Sequence, residues 1–138
     1  MSIGKKSKSQ VTASRPIVYE RDGRKCVAQG TLWPCHGSIT LQHRVGKGAG
    51  GSAQYDAPAF LVCMCGHHNS LAESSADFAN FCVQNGYSLR RSLAEQHPIA
   101  RVPIRYPDGW HLLSGNIRSE ISESTAIDLM AEIYGEEL

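Results

Sequence analysis

Hydrophobic positions in this 138-residue chain come in short groups set apart by turn-forming residues, and their period changes from group to group. Residues 1–12 are polar, rich in Lys and Ser and without periodicity, which predicts a disordered basic arm. Pro16 suits the first position of a helix, which Ile17, Val18 and Tyr19 continue and Gly23 ends. A short strand over residues 26–28, a loop over 30–37 and a second strand over 38–45 are expected next. Residues 46–52, GKGAGGS, are too glycine-rich for regular structure and read as a loop that lets backbone come close to a ligand. After a short apolar segment at 60–63, the spacing of Ala76, Phe78, Ala79, Phe81 and Cys82 predicts an amphipathic helix. It starts at Ser74 or Ser75, reaches about Asn85 and stops at Gly86. Two extended runs around Pro107-Asp108-Gly109 predict a β-hairpin. Ser122 or Ser124 then caps a final short helix with Ile127, Met130, Ile133 and Tyr134 on one face.

Length and a hydrophobic content of 41% suit one compact domain and are too small for two. The fold class expected is therefore α+β, with the arm at 1–12, a core over 13–91, and a hairpin and helix over 92–138 packed on that core. No run of 18 apolar residues occurs and the N-terminus has no signal-peptide stretch, so a cytoplasmic protein is expected. The formal net charge of +1 conceals an asymmetry: residues 1–55 carry nine basic and two acidic side chains, and the rest carry five basic and eleven acidic ones. A polyanion such as DNA would be held by the first half.

Five cysteines without a secretion signal favour metal ligation over disulfides. Cys26 and Cys35 flank one loop, and Cys63 with His67 flanks a second, which matches the way tetrahedral zinc joins two loops. Cys26, Cys35, Cys63 and His67 are the expected ligands, with His36 and Cys65 as substitutes if geometry forbids one of them, and His68, beside His67, competes for the same zinc. Cys82, inside the predicted helix, is expected in the core, as are Trp33 and Trp110. Arg44 and Lys47, beside several glycines, form a cationic loop suited to a phosphate. Arg90 and Arg91 suit either a DNA contact or a helix C-terminus.

The segment LQHRVGKGAGGS, followed by a cysteine cluster ending HHNSLAES, resembles the HNH endonuclease family, in particular the small HNH-like proteins of actinobacterial phages. The preceding RDGRKCVAQG is similar to that family's opening segment, and the likeness runs from about Arg15 to Arg91. The resemblance implies a zinc-stabilised ββα-metal domain in which His43 activates water. It also implies that His68, with Gln42 or Asn69, holds a catalytic Mg2+ or Mn2+ against the scissile phosphate. Asn69 could equally cap the helix.

This sequence departs from the family pattern at three places: Gln29 replaces the second cysteine of the opening pair, Gln42 replaces an Asp before the histidine, and no Asn stands near Pro58 and Ala59. An amide carries no charge and is the weaker ligand for a hard cation. The expected function is a metal-dependent, phage-type DNA endonuclease in an infected bacterial host. The alternative is a decayed, zinc-stabilised HNH-fold module that binds DNA, or a host protein through the acidic C-terminal region.

Overall fold

The computed structural model describes residues 3–46 and 53–135, with side chains from residue 11 onward. Its architecture is α+β, with two small antiparallel sheets and five helices among the described residues. Helix α1 (Ile3–Arg21) runs through Pro16 and takes in residues 3–12, which sequence reasoning had expected to be disordered. Proline deprives the carbonyl of Thr12 of its helical partner, but no glycine separates Gly4 from Pro16 and nothing else there breaks a helix. Tertiary contacts hold the last turns. Ser14 Oγ donates to the Asp56 carbonyl at 2.7 Å, and Val18 is fully buried against Leu61 and Cys63.

Asp22, just past α1, ties three elements together. Its carboxylate accepts the Cys63 amide at 2.9 Å, the Tyr106 hydroxyl at 2.7 Å and the Arg21 guanidinium at 2.8 Å. Arg21 also donates to the carbonyls of Pro58 and Leu61, so this buried charge pair is fully hydrogen-bonded rather than merely close. The Tyr106 hydroxyl is held far above its usual range, chiefly by burial and then by the Asp22 charge, and stays a neutral donor.

The strand expected at 26–28 does not form. Gly23 and Arg24 before it, and Gly30 after it, all have positive φ, so the chain turns on both sides. The Val27 amide still donates to the Cys63 carbonyl at 2.8 Å, but no ladder continues from it among the described residues.

Strands β1 (Ile39–His43) and β2 (Leu61–Cys65) pair antiparallel, with Ile39 opposite Cys65 and His43 opposite Leu61. All five residues of β2 are buried, and α2 (Gly66–Ser74) follows it directly. Helix α3 (Ala76–Gln84) begins at the Ser75 cap, as its pattern predicted, and buries Phe78 and Cys82. Gly86 ends it at φ +81°, where an added Cβ would lie 1.9 Å from the Pro103 carbonyl oxygen. The short helix α4 (Arg91–Ala94) leads to the second sheet, β3 (Ile104–Tyr106), β4 (Gly109–Ser114) and β5 (Ile117–Glu120). The hairpin at 107–109 is thus present and extended by a third strand. Ser122 caps α5 (Glu123–Tyr134), which buries Ala126, Leu129, Met130, Ile133 and Tyr134; Ile127 points outward, 58% exposed, and not onto the apolar face.

The main core packs Val62 and Met64 of β2 against Phe78, Tyr87, Ile104 and Leu113, with Trp33 at its edge. A second cluster joins Val45, Leu89 and Val102 to α5, with Trp110 against it. Among the described residues, no helix is long and apolar enough to cross a membrane.

Candidate functional site

The β1–β2 ribbon carries a different cluster at each end, separated by four residues of strand, or about 13 Å. At the Cys65 end stand Cys26, Cys35, Cys65 and His68, whose donor atoms all lie within 4.8 Å of one another. Zinc–sulfur bonds of about 2.3 Å and zinc–nitrogen bonds of about 2.0 Å would set tetrahedral donors about 3.5–3.8 Å apart. Three sulfurs and an imidazole gathered this closely could hold a metal ion such as zinc. His68 Nδ1 lies 3.2 Å from Cys26 Sγ and 3.9 Å from Cys35 Sγ. Its other nitrogen, Nε2, donates to the Trp33 carbonyl at 2.6 Å, which fixes the tautomer with Nδ1 free to ligate.

Two of the four clustered side chains, Cys65 and His68, stand where Cys63 and His67 were expected. Cys63 and Leu61 share the face of β2 turned to α1, and Cys63 Sγ lies 3.9 Å from the Val18 carbonyl, away from the cluster. Cys65 escapes that alternation because it ends the strand and caps α2, its sulfur accepting the His68 amide at 3.4 Å. His67 and His68 are about 100° apart around the helix, so only one can face inward. His68 does, stacked on Phe78 with ring centroids 5.0 Å apart, whereas His67 and His36 are exposed. The readable signal was Cys65-x2-His68, the spacing that an N-cap and the first helical turn bring together.

Burial pushes the Cys26 thiol up to about 12 and raises Cys35 as well. At Cys65 burial acts the same way, but hydrogen bonds from the His68 and His36 backbone and from the neighbouring thiols outweigh it and lower its pKa. Burial also lowers His68, keeping the imidazole neutral, the form that ligates.

At the other end of the ribbon, His43 Nε2 meets Asp56 Oδ1 at 2.8 Å. The Asp56 side chain is fully buried and that of His43 is 28% exposed, so one edge of the ring is held and the rest faces outward. Asp56 was not foreseen. It stands thirteen residues after His43, and a short 3-10 turn at Ala53–Asp56 carries it back to the strand end. With Nε2–H donated to this carboxylate, Nδ1 carries the free lone pair.

His43 lines a cavity of about 310 Å³ together with Gln42, Asn69, Glu73 and Ser88. Asn69 does not cap α2. Its Nδ2 donates to Thr40 Oγ1 at 2.7 Å and to the Leu41 carbonyl at 3.3 Å, which leaves Oδ1 without a donor among the described residues. Gln42, His43 and Asn69 therefore line one cavity. His68 is not with them; its ring belongs to the cysteine cluster.

Arg44 is fully buried and does not form the phosphate-facing loop expected of it. Its guanidinium donates to the carbonyls of Gly86, Ala59 and Val102 at 2.8–3.1 Å. Alternation along the strand end explains this, since His43 faces the cavity and the next side chain must face the core. Desolvation lowers Arg44 to about 10, still high enough to stay charged at neutral pH. Lys47, the other residue expected to contact DNA, lies outside the described residues. Arg90 and Arg91 open α4 rather than close α3, and Arg91 lies over the Tyr55 ring and donates to the Gly46 carbonyl.

No protein-family model, curated protein or solved structure matches the chain.

Proposed function

We propose that the chain is a zinc-stabilised, metal-dependent DNA endonuclease of the HNH type, with His43 as general base. The observation that carries this reading is the His43–Asp56 pair, a surface-facing imidazole oriented by a fully buried carboxylate at the edge of a polar cavity. The order β1, return loop, β2, α2, with His43 ending the first strand and Asn69 in the first turns of the helix, supports the ββα-metal reading. The donor set of three cysteines and one histidine suits zinc in a purely structural role.

In this reading His43 Nδ1 accepts the proton of the attacking water, and Asp56 holds the ring and stabilises the imidazolium that forms. Gln42 and Asn69 would hold a Mg2+ or Mn2+ ion, which supplies positive charge to the leaving phosphate oxygen. The fit is supported by Asn69, whose amide is anchored through nitrogen and offers its oxygen. The basic first half of the chain, including α1, supplies attraction for the phosphate backbone. A second reading, a zinc-stabilised module that binds DNA or a host protein without cutting, is favoured by one observation: the residue before His43 in the cavity is an amide, Gln42.

A plasmid-nicking assay separates the two. Zinc-loaded protein stripped of other ions should nick DNA when Mg2+ or Mn2+ is returned, and His43→Ala should lose at least about a hundredfold in rate. Nicking that persists unchanged in a purified His43→Ala protein would remove His43 from the reaction. Absence of nicking with every ion, from protein that still holds zinc, would leave the binding module.

A further inference from the structure

We infer that Glu73 supplies the charged oxygen ligand of the cation site beside His43, taking the place of the carboxylate that Gln42 lacks. The inference rests on the cavity read above as the reaction site, although cation binding is measured apart from cutting. Hard divalent cations take oxygen ligands and draw most of their affinity from carboxylates. Gln42 and Asn69 offer only neutral oxygens. Asp56 is buried behind His43 and occupied by it. Of the described residues lining the cavity, Glu73 is the one that carries a carboxylate.

Its position follows from the helix. Glu73 lies four residues after Asn69 on α2, so both side chains rise from the same face one turn apart. The first turn of that helix is fixed by the Cys65 cap and the inward His68, which sets the direction in which the face points. Asn69 is held on β1 through its nitrogen. Glu73 is exposed and makes no hydrogen bond or ion pair with any described residue, leaving its carboxylate able to swing to an ion at the Asn69 oxygen. It also sits in the last turn of α2, where the helix dipole disfavours an anion and no basic residue offsets it. A bound cation would relieve that local cost.

The test uses full-length, zinc-loaded protein titrated with Mn2+, with free Mn2+ read from its electron paramagnetic resonance signal and nicking assayed in parallel. Wild type should bind one Mn2+, Glu73→Gln should weaken binding about tenfold or more, and Gln42→Asp should strengthen it. Glu120→Gln, which removes an exposed carboxylate on β5, should change neither. Zinc content and circular dichroism verify the fold of each variant. Unchanged Mn2+ affinity in Glu73→Gln, or no Mn2+ bound by wild type, overturns the inference. If wild type nicks DNA while Glu73→Gln binds and cuts equally well, Glu73 fails and the nuclease stands. If Glu73→Gln loses Mn2+ and no variant cuts, the ligand stands and the nuclease falls.

Discussion

Cys63 and Cys65 are two residues apart on one strand, yet replacing each by alanine should give opposite results for metal. Cys65→Ala removes one of four donors and the sulfur that accepts the His68 amide at the start of α2. A structural zinc site is worth roughly 10–16 kcal/mol of apparent binding energy, so an even share for one of four ligands is about 2.5–4 kcal/mol. Loss of the helix cap adds about 1 kcal/mol. The sum is a large part of the 5–15 kcal/mol that holds a typical domain. Cys63→Ala deletes one buried sulfur with a weak contact to the Val18 carbonyl at 3.9 Å, and about 1 kcal/mol covers the small cavity it leaves. Zinc content and thermal unfolding check both variants. Cys63→Ala should keep one zinc and melt within about 5 °C of wild type, whereas Cys65→Ala should lose zinc and most of its cooperative transition. In the cobalt-substituted protein, Cys65→Ala should also lose thiolate-to-metal charge-transfer absorption that Cys63→Ala retains. Full zinc retention in Cys65→Ala together with its loss in Cys63→Ala would refute the assigned ligand set.

Two further variants probe how the site is supported. Asp56→Asn should slow nicking by about a hundredfold or more while leaving zinc content unchanged, because a neutral amide neither selects the His43 tautomer nor stabilises the imidazolium; an undiminished rate would show that the pair is only structural. Gly86→Ala should cost about 3 kcal/mol or more in denaturant unfolding, since its Cβ would lie 1.9 Å from the Pro103 carbonyl oxygen at a φ of +81° and would disturb the Arg44 anchor. Gly23→Ala, at φ +65° with nothing near its Cβ, should cost only about 1 kcal/mol, and equal losses at the two sites would contradict the steric account.

Local signals in the sequence survived wherever a single element decided them. The Ser75 cap, the Gly86 stop, the turn at 107–109 and the Ser122 cap all stand where their residues placed them, because caps and turns are chosen within four residues. The metal cluster was legible as a region and partly as a ligand set. Cys26 and Cys35 stand in the cluster, but the choice between Cys63 and Cys65 depends on where β2 ends, and that between His67 and His68 on the phase of the following helix. Arg44 was misplaced for a related reason: its charge suggested solvent, and only the strand phase, together with three carbonyls from distant segments, shows that it is inside. Asp56 gave no local signal, since its link to His43 spans a loop whose return path is a tertiary property. Composition predicts a disordered arm over residues 1–12, but composition does not register the docking of Ser14 and Val18 that anchors the helix running through 3–12.

The two ends of the ribbon depend on each other. A pair of five-residue strands is marginal alone and needs packing on both faces. One face rests on α1 and the other on the Val62–Phe78 core, but the rotation of α2 relative to β1 is set at its first turn by Cys65 and His68. Asn69 follows His68 directly, and its two bonds to β1 span the ribbon toward the His43 end. A metal at the cysteine cluster would therefore do more than hold loops together. It would fix the phase of the helix on which Asn69 and Glu73 stand, so that the distance from those oxygens to His43 becomes a property of the fold and not of a mobile helix end.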